Sequence, residues 1–160
     1  MNSISIIVPC YNAEKFIDKN ISLLIKKLNK FKIKSEIILI NDGSDDNTYY
    51  KIKRLKKKSI KVINLKKNHG KSYAVRQGLK KAKMDYIILI DCDLPYFEKL
   101  KLLIDKLKLG YDFVSINRRH KQSKIKNKNF SIYQLSRLLT GNLLGKIINL
   151  SLNFDKKIID

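Results

Sequence analysis

Short β-branched and apolar runs alternate with helix-spaced apolar stripes along most of the chain. Five runs have the length of buried strands: residues 4–8, 36–40, 60–65, 86–90 and 113–116. Between them, apolar residues recur at three- and four-residue spacing, as on the buried face of an amphipathic helix. Strands that alternate with such helices form βαβ units, and right-handed crossovers place the helices on both faces of a mostly parallel sheet. The sequence therefore predicts a single α/β domain.

Three of the predicted helices have a complete apolar stripe. The stripes are Ile17, Ile21, Leu24, Ile25 and Leu28 in the first helix, Val75, Gly78, Leu79 and Ala82 in the third, and Phe97, Leu100, Leu103, Ile104 and Leu107 in the fourth. The second helix has a start signal instead. Ser44 or Asp45 is its predicted N-cap, because a short polar side chain accepts hydrogen bonds from the first helical amides. This helix is predicted to extend to about Lys57.

The charge of the chain limits the classes of partner. There are 35 Lys and Arg residues against 14 Asp and Glu, which gives a formal net charge of +21. So large an excess predicts attraction to nucleic acid, to an anionic membrane surface or to phosphorylated substrates. The alternative is that most of these lysines only solvate the surface. Because 44% of the residues are hydrophobic, an ordinary value for a folded protein, disorder is not expected.

Targeting and metal signals are few. Cys10 and Cys92 lack the close pairing of a structural zinc site. No signal peptide precedes the first predicted strand, so a reducing, cytoplasmic location is the expectation. No apolar run reaches the roughly 18 residues of a membrane-spanning helix, so none is predicted.

Polar residues follow every predicted strand, and an aromatic residue, Tyr11, follows the first one. The segments are "PCYN" at 9–12, "NDGSD" at 41–45, "NHGK" at 68–71, "DCD" at 91–93 and "NRR" at 117–119. Ligands of open α/β sheets bind beyond the carboxyl ends of the strands, where these segments would meet. Together the segments bring two acidic clusters, basic groups and an aromatic ring to one edge. That combination suits a metal–nucleotide ligand.

Asp91 and Asp93 end the fourth predicted strand. Residues two apart in an extended strand point to the same side, so the two carboxylates would crowd one another. Like charges that close repel. Either the strand has already given way to a solvated loop, or a divalent metal binds between the carboxylates.

Two common nucleotide-binding motifs are absent. The turn after the first strand, "PCYNAEKF", has none of the glycines that a G-x-G-x-x-G dinucleotide site requires. Gly70-Lys71-Ser72 lacks the upstream glycine of a P-loop. The sequence thus argues against a dinucleotide-binding protein and against a P-loop NTPase.

Four ordered segments carry a family resemblance: "SIIVPCYNAEKFI", "EIILINDGSDDNT", "NHGKSYAVRQGLKKAKMDYIILIDCDLPY" and "DFVSINRRH". Over residues 4–120 the chain resembles the family 2 glycosyltransferases with a GT-A fold, and among these the polyprenyl- (dolichyl-) phosphate hexose synthases. The resemblance implies a single-domain, Rossmann-like α/β fold. It also implies a nucleotide-sugar-binding core at residues 1–120, followed at 121–160 by a basic loop and an amphipathic helix on the acceptor and membrane side.

The resemblance implies roles for residues of the donor site. Tyr11 would pack on the nucleotide base, and Asp42 would accept a hydrogen bond from it. Asp91 and Asp93 match the D-x-D motif and would bind Mg²⁺ or Mn²⁺, with Asp93 favoured as the direct ligand. The other residues placed at the nucleotide sugar are Pro9, Cys10, Asn12, Gly43, Lys71, Arg76 and Cys92. Lys71 and Arg76 would neutralise the diphosphate, although a solvated helix face explains them equally well.

Three features depart from the family pattern. Asn41 stands where these enzymes commonly have another aspartate, which leaves the base or ribose contact there open. Pro95 stands where some mannose synthases have a metal-shell glutamine, so mannose is not implied. The enzymes of this group also continue beyond the point that corresponds to Asp160. The chain would accordingly lack their C-terminal part and be a truncated enzyme, a fragment or a minimal relative.

The acceptor implied by the resemblance is a polyprenyl phosphate. Such a phosphate is already an anionic nucleophile at neutral pH, so an inverting transfer needs electrostatic positioning and no general base. Arg118 and Arg137 match the arginines that would hold this phosphate, with Arg118 counted beside Asp93 as a catalytic residue. Planar guanidinium groups suit that task.

The segment 130–154 is largely apolar but too polar to span a bilayer. It fits an amphipathic helix lying on an anionic membrane, which predicts a peripheral protein at the cytosolic face, or a C-terminal helix packed on the sheet. Three alternatives to a lipid-phosphate transferase stay open. They are a transferase with a glycan or protein acceptor, an inactive transferase fragment, and a basic nucleic-acid-binding module. The last would leave the strand-end carboxylates unexplained, since they repel phosphates.

Overall fold

The computed structural model describes residues 3–116 and has the predicted α/β architecture. Its elements are β1 (Ser3–Cys10), α1 (Ile17–Lys30), β2 (Lys34–Asp42), α2 (Thr48–Arg54), β3 (Ile60–Leu65), α3 (Lys71–Leu79), β4 (Tyr86–Leu89), a short 3-10 turn (Phe97–Lys99) and α4 (Leu100–Lys108). All strand pairs are parallel, in the order β3-β2-β1-β4. Residues Met1–Ser115 form one compact unit. The parallel sheet of the sequence prediction is confirmed.

The larger core lies on the face of the sheet covered by α1, α2 and α4. Alternate residues of β1, such as Ile6 and Val8, point to this face and pack among the helices. The predicted stripe of α1 is confirmed, because four of its five residues are buried and Ile25 packs against the same core. In α4, Leu100 and Ile104 are buried in the same way. Burying one such side chain contributes roughly 1.5–3 kcal/mol, so this face fixes the helices to the sheet.

Helix α3 covers the opposite face, but its buried stripe is rotated from the predicted one. Ala74 and Gly78 are buried, whereas Leu79 is 45% exposed, so the prediction was wrong for Leu79. A Cβ atom on Gly78 would lie 2.6 Å from Ile7 Cγ2. The missing side chain lets α3 approach β1 closely, and this contact decides which side of the helix faces the sheet.

Two further predictions were wrong. Residues 113–116 form no strand, and Phe113 is 83% exposed, so β4 is the last strand of the described part of the chain. Helix α2 begins at Thr48 after Asn47, and not after Ser44 or Asp45. The reason is a contact from a distant loop, because Ser44 Oγ accepts the N–H of Asn12 and the Asp45 N–H donates to the side chain of Asn12.

A buried carboxylate joins three strands near their amino ends. Glu36 Oε1 accepts hydrogen bonds from Ser5 Oγ at 2.7 Å and from the Lys83 N–H at 2.8 Å, and Glu36 Oε2 pairs with Lys61 Nζ at 2.6 Å. Burial raises the pKa of Glu36, but the bonds from Lys61, Ser5 and Lys83 outweigh it, so the pKa is lowered from its usual value. These contacts tie the α3–β4 connection to the sheet.

No helix between positions 3 and 116 is both long enough and apolar enough to cross a membrane.

Candidate functional site

A pocket of about 340 Å³ opens at the carboxyl ends of β1, β2 and β4. Its lining consists of Pro9, Cys10, Tyr11, Asp42, Asn68, Gly70, Lys71, Asp91, Cys92 and Asp93. Eight of these ten residues are among those that the sequence placed at the nucleotide sugar or the metal. They meet because the strands are parallel, so that every strand delivers its following loop to the same edge.

The loops after β2 and β3 contact each other beside the pocket. Asp42 is 3% exposed, and its Oδ1 accepts the N–H of His69 at 3.0 Å. Gly43 has φ +63°, and a Cβ atom there would lie only 2.2 Å from the carbonyl carbon of Lys67 and 2.3 Å from the nitrogen of Asn68. Gly43 itself does not line the pocket. Its structural effect is to let the β2 loop press against the β3 loop.

The turn after β1 places an aromatic ring at the mouth of the pocket. Tyr11 is 46% exposed, and its hydroxyl lies 3.5 Å from Asp45 Oδ2. Asn12, at φ +46°, does not line this pocket. It lines a neighbouring one of about 450 Å³, together with Glu14, Lys15, Phe16, Asp45 and Asp46. The bonds of Asn12 to Ser44 and Asp45 make it a link between loops.

Two thiols lie side by side at the carboxyl ends of β1 and β4. Cys10 is the last residue of β1, Cys92 follows the end of β4, and a hydrogen bond joins the two side chains. The hydrogen bond to Cys92, followed by burial, raises the pKa of Cys10 well above its usual value. The same bond lowers the pKa of Cys92, against the effect of burial and of the Asp93 and Asp91 charges. Cys10 therefore stays protonated as a small apolar part of the wall.

The two aspartates after β4 differ in their surroundings. Lys71 Nζ forms an ion pair with Asp91 Oδ1 at 2.5 Å, whereas Asp93 is exposed. Within residues 3–116 there is no group of three or more His, Cys, Asp or Glu side chains that would hold a metal alone. Two carboxylates still fit Mg²⁺ or Mn²⁺, because such ions take hard oxygen ligands and complete their shell with water and substrate phosphates.

The remaining predicted residues either do not line the pocket or lie outside the residues that the structure describes. Arg76 is an exposed residue of α3 that does not line it. Arg118 and Arg137, and the segment 121–160 with its predicted helix, lie outside the described residues. Asn41 is buried and donates to Asn64 Oδ1 at 2.8 Å, which joins the ends of β2 and β3.

Sequence reasoning assigned no role to Asn68 and Gly70, although both line the pocket. The available signal was their position in the polar run after the third strand. Gly70 directly precedes α3, and Asn68 Oδ1 accepts the Gly70 N–H at 3.0 Å. The start of α3 thus faces the pocket, and the first amides of a helix favour an anion.

A parallel α/β sheet with this pocket at its strand ends is the architecture of the GT-A transferases. The chain belongs to glycosyl transferase family 2, whose family model matches residues 5–154.

Curated relatives include an undecaprenyl-phosphate sugar transferase and a polysaccharide synthase. The chain is 37% identical over 136 residues to an uncharacterized glycosyltransferase of Synechocystis sp., covering 80% of this chain and 41% of that protein. It is 29% identical to the undecaprenyl-phosphate 4-deoxy-4-formamido-L-arabinose transferase of Proteus mirabilis, over 76% of this chain and 39% of the relative. It is 36% identical to a poly-beta-1,6-N-acetyl-D-glucosamine synthase of Staphylococcus aureus, over 58% and 22%. The chain thus spans well under half the length of these relatives.

Solved structures similar to the chain include TarS of S. aureus. Its 1–349 portion superposes with a TM-score of 0.53 at 30% sequence identity, over 66% of this chain and 33% of that one. The complex of the same protein with UDP-GlcNAc gives a TM-score of 0.52 at 27% identity, over 66% and 32%.

Proposed function

We propose that this chain is the donor-binding core of a metal-dependent, inverting glycosyltransferase that uses a nucleoside-diphosphate hexose. The observation that carries the proposal is the convergence of Tyr11, Asp42, Asp91 and Asp93 on one open pocket. The UDP-GlcNAc complex of the similar TarS structure supports a nucleotide-sugar ligand.

Each lining residue has a task in this proposal. The exposed ring of Tyr11 stacks on the base, and buried Asp42, already fixed by the His69 amide, accepts a base N–H. Asp93 and Asp91 would hold Mg²⁺ or Mn²⁺. When bound, this cation would neutralise the charge that develops on the departing nucleoside diphosphate.

For the acceptor we propose a polyprenyl phosphate, as the Proteus mirabilis relative's name supports. An oxygen of that phosphate forms the bond to the anomeric carbon while the bond from this carbon to the diphosphate breaks. The nucleophile carries its charge from the start, so no general base is required. Arg118 and Arg137 hold the acceptor in this proposal, and the basic chain brings the protein to the cytosolic face of an anionic membrane.

A glycan acceptor is the second candidate. The similarity to a poly-beta-1,6-N-acetyl-D-glucosamine synthase favours it. In that case a general base is needed, because a sugar hydroxyl is a weak nucleophile at neutral pH.

The test of the donor site is calorimetry with UDP and GDP, in Mn²⁺ and in EDTA. Binding should be strong only with the metal, and Asp93→Asn should remove most of the difference, because one oxygen ligand and one charge are lost. Asp105→Asn is a matched control, since Asp105 is a partly exposed aspartate of α4 that does not line the pocket. Equal affinity in Mn²⁺ and EDTA would contradict the proposal.

A further inference from the structure

The ammonium of Lys71 already contacts one of the two aspartates that would bind the proposed metal ion. Its ammonium contacts Asp91 Oδ1, while the Lys71 side chain is 58% exposed and that of Asp91 is 29% exposed. Among the described residues that line the pocket, Lys71 is the one lysine or arginine, and it lies beside more than one carboxylate. Asp93, two residues after Asp91, is exposed.

The position of Lys71 allows it to serve two partners. It is the first residue of α3, directly after Gly70, and both residues line the pocket. The four-carbon stem of a lysine is flexible and its ammonium has three donors in no fixed plane, so the group can turn without a change in the backbone. Anchored at the helix start, the ammonium remains within the pocket when it leaves Asp91.

A divalent cation bound by the aspartates would compete with this ammonium for Asp91. Two cations on one carboxylate repel each other, and the ion pair already occupies one of its oxygens. A nucleoside diphosphate changes the balance, because it adds more negative charge than the single Lys71 ammonium can compensate. It also offers strong acceptors for charge-assisted hydrogen bonds.

We propose that Lys71 is a positioning residue that exchanges partners during donor binding, from Asp91 in the free protein to the diphosphate in the complex. The inference rests on the proposed donor site. It has two consequences of opposite sign: Lys71 weakens binding of the metal alone and strengthens binding of the metal–nucleotide complex. Mn²⁺ and UDP should therefore bind to the wild-type protein cooperatively.

The decisive variant is Lys71→Met, which keeps the length of the stem and removes the charge. The affinity of this variant for Mn²⁺ alone should rise roughly two- to fivefold, the range for the loss of a partly exposed ion pair. The paramagnetic signal of free Mn²⁺ measures this affinity. The variant's affinity for UDP in saturating Mn²⁺, measured by calorimetry, should fall roughly tenfold or more, the range for a lost charge-assisted hydrogen bond. Lys71→Arg keeps the charge and should resemble the wild type in Mn²⁺ binding.

The matched control is Lys80→Met, which removes an exposed lysine just after the other end of α3. It should change neither affinity. If Lys71→Met shifts both affinities in the same direction, or shifts neither, the proposed exchange of partners by Lys71 is refuted. The proposed donor site is not refuted by that result. If the wild-type protein fails to bind UDP with Mn²⁺, the proposed function itself fails. The Mn²⁺-only titration then still reports whether Lys71 occupies the aspartate.

Discussion

The contact beneath Gly43 can be tested by adding a single methyl group. In Gly43→Ala the new Cβ would lie 2.2 Å from a backbone carbon and 2.3 Å from a backbone nitrogen of the β3 loop, where ordinary contacts begin near 3.4 Å. No side chain can rotate away from such an overlap. The β2 and β3 loops must therefore separate by about 1 Å, the amount by which the contact falls short of van der Waals distance.

Gly43→Ala should lower the free energy of unfolding through three effects. A left-handed φ for alanine costs about 1–2 kcal/mol. Overpacking against rigid backbone adds about 1–3 kcal/mol. Separation of the loops also weakens the bond from the His69 N–H to Asp42, which is worth up to about 1.5–3 kcal/mol when intact. With that bond only weakened, we expect Gly43→Ala to lower the free energy of unfolding by about 2–5 kcal/mol.

Gly110→Ala is the matched control. Gly110 has φ +93°, but no atom lies within 4 Å of its Cβ position, so alanine there meets only the conformational cost. Urea unfolding followed by circular dichroism should give a lower midpoint for Gly43→Ala than for Gly110→Ala, by about 1 M at a typical slope of 1–3 kcal/mol per molar. UDP binding should weaken only in Gly43→Ala, because its loops line the pocket. Equal midpoints would refute the close contact.

Three further predictions concern the base, the core carboxylate and the acceptor. Tyr11→Ala should weaken UDP binding in calorimetry about fivefold, the scale of an aromatic contact, and leave pyrophosphate binding unchanged. Loss of both, or an equal loss in the exposed control Tyr50→Ala, would contradict the stacking role. Glu36→Gln should lower the unfolding free energy at pH 7 by about 1–3 kcal/mol, while Glu98→Gln, whose side chain is 86% exposed, should have little effect. Because the folded-state pKa of Glu36 is lowered, its contribution is present above its unfolded-state pKa and is lost as the pH falls through the folded-state value. The two unfolding curves should therefore converge below about pH 4, and a constant difference down to pH 2 would refute the linkage. Arg118→Ala should reduce sugar transfer to a short-chain polyprenyl phosphate and spare UDP binding, with partial recovery in Arg118→Lys; undiminished transfer would favour a glycan acceptor.

The strands were predictable because each is encoded locally. A run such as residues 60–65 is bounded by polar residues on both sides, and the observed β3 has the predicted bounds. Residues 113–116 satisfy the same local pattern, but a strand also needs a neighbour to pair with, which a four-residue run does not specify. The predicted start of α2 was wrong for a related reason. Asn12 forms hydrogen bonds with Ser44 and Asp45 from more than 30 positions away along the chain.

The site was predictable to the extent that topology alone assembles it. Parallel strands bring Tyr11, Asp42 and Asp91 to one edge whatever the details of the loops. The pairing of Lys71 with Asp91 was not predictable, because it depends on how α3 is set against β4 across 20 residues of chain. The rotation of α3 follows from the contact at Gly78, and the apolar spacing of the helix does not encode it.

The distribution of acidic residues supports the proposed cation at this edge of the sheet. Within residues 3–116, six carboxylates line the two pockets at the strand ends: Glu14, Asp42, Asp45, Asp46, Asp91 and Asp93. The net charge of +21 would attract a diphosphate from a distance, but the described residues that line the pocket carry more negative than positive charge. Among them Lys71 is the one lysine or arginine beside Asp42, Asp91 and Asp93, so this ammonium alone does not reverse the sign of their charge. A divalent ion can, because it adds two charges at the carboxylates themselves. The two effects separate experimentally: added salt should slow association by screening the distant lysines, whereas the dependence of UDP affinity on Mn²⁺ should persist, because it arises at contact distance.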